Sequence, residues 1–172
     1  PGEIDRMLQL HVVSLTYLAQ RLLPGMIARG RGSILNVSSL LGLIVLPGQA
    51  AYCGTKHYVT GLTKSLRAEA NGTGVVVSQL CPGPVKSAFW DLRNAGQLGP
   101  PGLLYISVGQ CVREGLRGFA RGRALIVPGL KVRLFRAFMA VTPPPIERLV
   151  LSLIARSMRA ELVRTIAAGK TT

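Results

Sequence analysis

Tyr52 and Lys56 stand four residues apart, a spacing that puts two side chains on one face of a helix. An ammonium held beside a phenol favours the phenolate. A tyrosine that titrates near ~10 when free can thereby serve as a general acid/base. Ser39 lies thirteen residues before Tyr52, just past the apolar, β-branched run Ser33-Ile34-Leu35-Asn36-Val37. That run reads as a buried strand, and ligands of parallel sheets collect at the carboxyl ends of strands. The Ser39 hydroxyl is therefore placed to meet Tyr52 over a bound carbonyl. A lone Tyr-x-x-x-Lys recurs by chance in helices, so the weight rests on the combination.

The elements that must position these residues follow from periodicity. Ile4, Leu8, Val12, Leu15, Leu18, Leu22 and Ile27 recur every three to five positions, which predicts one long amphipathic helix over Ile4 to Arg29, bent or shortened by Pro24 and broken at Gly30-Arg31-Gly32. A second helix is expected from about Ala51 to Ala70, stopped by Asn71-Gly72. Val75 to Leu80 reads as a strand closed by Cys81-Pro82-Gly83-Pro84, Ile106 to Phe119 as a helix, and Ala124 to Val127 as a third strand. Alternating apolar strands and helices predict an α/β fold with a parallel sheet flanked by helices. Residues 1–129 form its core. The tail 130–172 is a helical extension of the same domain, two helices separated by Pro143-Pro144-Pro145.

Composition bounds the function classes. A chain of 172 residues, 48% hydrophobic and 16% charged, can bury one sizeable core. Cys53, Cys81 and Cys111 are scattered and odd in number, which argues against a disulfide framework and a zinc site and fits a reducing, cytoplasmic setting. The net charge of +14 favours anionic partners. The arginines recur in glycine-rich loops, however, and aromatics make up only 5% of the chain, so solvated surface charge is preferred over a specific nucleic-acid site. No run reaches the roughly 18 to 20 apolar residues of a spanning helix. The tail helices mix Leu, Phe, Ile and Met with Arg, and two readings stay open: a core or dimer-packing face, and peripheral contact with an anionic membrane.

Taken together, the stretch from Gly32 to Phe89 resembles the short-chain dehydrogenase/reductase superfamily. The resemblance rests on Asn36-Val37-Ser38-Ser39, on Tyr52-x-x-x-Lys56 followed by Ser65-Leu66-Arg67-Ala68-Glu69, and on Pro82-Gly83-Pro84-Val85 with Ser87 two positions on. Leu23-Pro24-Gly25-Met26 and Ile126-Val127-Pro128-Gly129 resemble its ketone- and acyl-reducing branches more weakly. The resemblance implies a Rossmann-like three-layer fold. It further implies hydride transfer between NADP or NAD, NADP being slightly favoured, and an alcohol or ketone of small-molecule size. Tyr52 would be the acid/base and Ser39 the group that holds the substrate oxygen. Lys56 would bind the nicotinamide ribose while lowering the Tyr52 pKa. Asn36, Pro82, Gly83, Val85 and Ser87 would complete the cofactor contacts. The intact protein would be a homodimer or homotetramer through its first two helices, with specificity drawn from Lys86 to Pro101 and the tail.

Two departures from the family pattern matter. Where the family has an asparagine that supports a proton relay, this chain has His11, which can itself relay protons. His57 matches no family role and reads as packing or surface. The glycine-rich turn that sets a pyrophosphate at a helix N-terminus is missing, and the chain opens at Pro1-Gly2-Glu3 without an initiating Met. The expectation is therefore the carboxyl-terminal, catalytic half of a longer reductase. The alternative is a catalytically inactive truncated form that acts as a dimer-forming or membrane-associated partner.

Overall fold

The computed structural model describes residues 2–86 and 102–167. Three helical segments succeed one another without a break: α1 (Gly2–Leu8), a π-helical segment (Gln9–Ser14) and α2 (Leu15–Ala28). Pro24 lies inside α2, which nonetheless runs on to Ala28. A proline in a helix interior costs about 3 kcal/mol. Here Ala19 and Leu23 are buried against Leu66, Ala70, Val75 and Val77, with Met26 and Ile27 packed at the rim, and each buried large apolar side chain returns about 1.5–3 kcal/mol. Packing therefore outweighs the missing N–H, and the expected shortening does not occur.

Strand β1 (Gly32–Val37) pairs in parallel with β2 (Val75–Leu80), from Gly32 against Val75 through Val37 against Leu80. Strand β5 (Leu125–Ile126) adds to the other edge of β2, giving the order β1-β2-β5. The crossover between β1 and β2 is α3 (Ala50–Glu69). Alternate residues of a strand face opposite sides, and β2 shows both faces covered. Val75 and Val77 pack with α2 and α3, and Gln79 bonds Thr60 of α3. Leu80 lies against Gly115 of α4 (Val108–Ala120), and Val76 against Gly122 just after it. Helices on both faces of a parallel sheet make the three-layer, Rossmann-like arrangement expected from the sequence.

Two short elements escaped the sequence reading. Val85–Lys86 (β3) and Ile106–Ser107 (β4) pair in parallel. Ile106 thus belongs to a strand, and α4 begins at Val108. Ser107 is its N-cap, extended at φ −74°, ψ 154°, with its hydroxyl accepting from Gln110 N at 3.1 Å. A serine before an apolar run is a start signal, and it corrects the expected boundary by two residues. β5 is likewise shorter than expected, because Val127-Pro128-Gly129 turns into α5 (Leu130–Val141), with Gly129 at φ +87°. The last helix, α6, spans Pro144–Ala167. Val132 and Phe135 of α5 join Leu40, Cys81, Ile106, Cys111 and Val127 in a second apolar cluster.

The turns that lead into β1 and β2 touch through backbone alone. Gly74 sits at φ +78°, and a Cβ there would run into the carbonyl oxygen of Gly30. Gly74→Ala should therefore lose roughly 2 kcal/mol, from left-handed strain and overpacking together. A lowered urea midpoint at unchanged slope would show it. An unchanged midpoint would mean that the two turns are not held together as described.

Candidate active site

The register of α3 on the sheet sets the site, and a buried polar seam sets that register. Ile34, Asn36 and Ser38 alternate with Leu35, Val37 and Ser39 along the chain, so Asn36 and Ser38 turn to α3 together. Asn36 Nδ2 donates to Thr63 Oγ1 at 3.0 Å, Ser38 Oγ donates to the Lys56 carbonyl at 2.9 Å, and Gln79 Nε2 donates to Thr60 Oγ1 at 2.6 Å. All six residues joined by these bonds are buried. Each bond satisfies a group that would otherwise carry a desolvation cost of about 1–3 kcal/mol. Gly42 completes the seam. A Cβ there would lie 2.5 Å from both the Lys56 carbonyl oxygen and Ser38 Oγ, so the loop after β1 can approach α3 only with glycine at this point.

On this frame the structure brings together His11, Tyr52 and Lys56. Lys56 Nζ stands 5.6 Å from the centre of the Tyr52 ring, and the His11 ring meets Tyr52 edge-on with centroids 5.8 Å apart at 74°. Lys56 is 8% exposed. Among the described residues its ammonium donates to one acceptor, the Val37 carbonyl at 3.3 Å. Burial holds its pKa below the ordinary lysine value, while the neighbouring Cys81 acts in the opposite sense.

His11 lies in the π-helical segment, a local widening of the helix often found at functional sites. A hydrogen bond ties its ring to α3. Thr55 Oγ1 donates its one proton to the Tyr52 carbonyl at 2.8 Å and sits 3.1 Å from His11 Nδ1. With that proton on the carbonyl, the threonine oxygen has lone pairs to accept from Nδ1–H.

The other candidates divide. Ser39 is half-buried at the carboxyl edge of the sheet and caps the short 3-10 turn Leu40–Gly42, its Oγ accepting from Leu41 N at 3.2 Å. The Pro82 carbonyl accepts from Leu40 N at 2.7 Å, so the loops after β1 and β2 are tied side by side. Gly83 has a packing reason to be glycine, since its Cβ would come 2.9 Å from the Val132 methyls. Val85 is paired with Ile106. Asn36, expected at the cofactor, is buried with its amide on Thr63, and the contact it makes is between strand and helix. Ser87 and the segment 87–101 lie outside the described residues. His57 is exposed, its Nδ1 3.0 Å from the Cys53 carbonyl.

Ser38 was missed by sequence reasoning, although the alternation of residues along β1 points it at α3. Cys81, beside Ser38, is fully buried, and burial pushes its thiol up to about 12. It remains protonated and is no nucleophile. An apolar cavity of about 450 Å³, lined in part by Val45, Pro47, Cys53, His57 and Leu151, borders the start of α3. Tyr52 and Lys56 are not among its lining residues. Among the described residues no group of three or more His, Cys, Asp or Glu could hold a metal ion.

The short chain dehydrogenase family model matches residues 1–97, more than half of the chain. The chain belongs to the short-chain dehydrogenase family. Dehydrogenase/reductase SDR family member 7 of Homo sapiens is 37% identical over 94 residues, 54% of this chain and 28% of that protein. The 3-oxoacyl-[acyl-carrier-protein] reductase FabG of Rickettsia prowazekii is 34% identical over 95 residues, covering 55% and 39% of the two chains. A short-chain dehydrogenase from Sphingobium yanoikuyae, solved in complex with NADPH, superposes with a TM-score of 0.67 at 25% identity over 82% of this chain and 57% of its own. The chain thus spans well under two thirds of these short-chain dehydrogenases.

Proposed function

We propose that this short-chain dehydrogenase transfers hydride between NADP or NAD and a hydroxyl or ketone substrate. The single observation that carries the reading is a buried ammonium beside a phenol: Lys56, 8% exposed and bonded to one carbonyl at 3.3 Å, lies 5.6 Å from the Tyr52 ring centre. That cation suits the cofactor. One carbonyl occupies one of its three N–H groups, and a ribose diol offers neutral oxygens for the rest. The NADPH in the Sphingobium relative supports the same choice of cofactor.

A bound nicotinamide supplies or accepts the hydride. In this reading Tyr52 gives a proton to the substrate oxygen, or takes one from it, while Ser39 holds that oxygen by a hydrogen bond. Lys56 grips the ribose and favours the Tyr52 phenolate. His11, whose ring packs edge-on against Tyr52, relays protons to the acid/base pair in this reading. The backbone at Pro82, Gly83 and Val85, with Ser87, completes the cofactor contacts. The exposed Tyr17, Leu18 and Leu22 of α2 support self-association through that helix.

The test is titration of the purified protein with NADPH and NADH by calorimetry, followed by nicotinamide absorbance with a panel of ketones and secondary alcohols. Saturable binding, and turnover that depends on both cofactor and substrate, are expected. A folded protein that binds neither nucleotide would overturn the reading.

A further inference from the structure

Helix α5 is apolar on two separate faces. Val132 is fully buried and Phe135 packs beside it in the second core. Leu130, Leu134, Phe138 and Val141 instead lie 61%, 61%, 65% and 77% exposed. At about 100° per residue these four fall within an arc of roughly 80°, with Lys131 on one flank and Arg133 on the other. Helix α6 repeats the pattern, since Ile146, Leu149, Val150 and Leu153 are exposed at helical spacing. No single described helix is long and apolar enough to cross a membrane. The pair Leu130–Val141 and Pro144–Ser157 is apolar enough only when taken together, and it is bent by 118°.

Reached by Arg133 on the flank of the α5 stripe and by Arg136 on the far side of the helix is a cavity of about 480 Å³, whose walls also include Arg117, Arg121, Arg123 and Glu114. The one carboxylate is already engaged, accepting from Gln110 Nε2 at 2.8 Å and from Gly129 N at 3.0 Å. Five guanidinium groups therefore surround the space with one committed acid between them. The planar forks of arginine match phosphate oxygens in pairs. Arg133 and Arg136 belong both to this wall and to the helix that carries the stripe.

We infer that α5 and α6 lie in the surface of an anionic bilayer, with Leu130, Leu134, Phe138 and Val141 in the acyl boundary and lipid phosphates in the arginine cavity. Charge decides the occupant. A second copy of the chain would set five like charges against five, which opposes pairing. A bilayer supplies the apolar medium and the opposite charge together, the requirement of an interfacial amphipathic helix.

The full chain should cosediment with phosphatidylcholine vesicles that contain phosphatidylglycerol about tenfold more strongly than with phosphatidylcholine alone, and added salt should weaken the binding. Two exposed-surface variants separate the parts. Arg117→Gln with Arg121→Gln and Arg133→Gln should abolish the preference for anionic vesicles, and Leu134→Ser with Phe138→Ser should lower binding to both vesicle types, each with an unchanged circular dichroism spectrum. Three results would overturn the inference: binding of inorganic pyrophosphate in the cavity without any binding of vesicles, which would mark a site for a soluble phosphate ligand; dimers by light scattering that the Leu134→Ser, Phe138→Ser variant dissolves; or vesicle binding indifferent to both variants.

Discussion

Tyr52→Phe is expected to lower kcat by about 10³-fold, within the 10²- to 10⁴-fold range that a positioned acid/base contributes, and to leave cofactor affinity nearly unchanged. The substitution deletes one hydroxyl and keeps the ring, so the edge-on contact with His11 at 5.8 Å and the approach of Lys56 at 5.6 Å have no reason to change. The backbone carbonyl of residue 52 likewise still accepts from Thr55 Oγ1. The check is steady-state turnover beside a calorimetric Kd for NADPH. A variant that retains turnover within tenfold of the parent would remove Tyr52 from the chemistry.

Lys56→Met should move activity and stability in opposite directions. Burying a lone ammonium is unfavourable, and here burial has depressed the Lys56 pKa from its usual 10.5. Over the interval between that lowered value and 10.5, the unfolded chain binds the proton that the folded chain has released. Stability therefore rises with pH across that window, from a lower level plateau beneath it to a higher one above it. Methionine fills nearly the same space without the charge, so a gain of about 1 kcal/mol is expected, and the rise of stability with alkaline pH should flatten. Turnover should fall about 10²-fold or more, with weaker cofactor binding, because the ribose contact and the bias toward phenolate go together. Urea denaturation at two pH values and initial rates measure the two effects. A variant that is less stable and still active would mean that the ammonium serves the fold.

Periodicity found the long helices because their apolar stripes are continuous, and the spacing of Tyr52 and Lys56 carried straight through to a shared helix face. What the residues could not announce was context. Pro24 reads as a helix breaker, yet the burial around Leu23 overrides it. The π-helical segment at His11 leaves no mark in the periodicity, whose apolar positions continue through it. β3 and β4, two residues each, are too short to show a period. Ser38 and Ser39 are adjacent and chemically alike, and only the structure separates the one that bonds the Lys56 carbonyl from the one that caps the turn after β1. Asn36 carries a bond that the sequence does not announce. Its position in the motif suggested a ligand contact, and its neighbours give it a partner in Thr63.

The polar seam under α3 also makes the site a local one. Its cross-element bonds join residues between Asn36 and Gln79, at separations of 18 to 27 positions along the chain. Closing such short spans carries a small entropic cost, and units rich in near-neighbour contacts form fast. The geometry around Tyr52 and Lys56 is thus held within one strand-helix-strand unit. The arginine cavity and the apolar helices beyond β2 take no part in that seam.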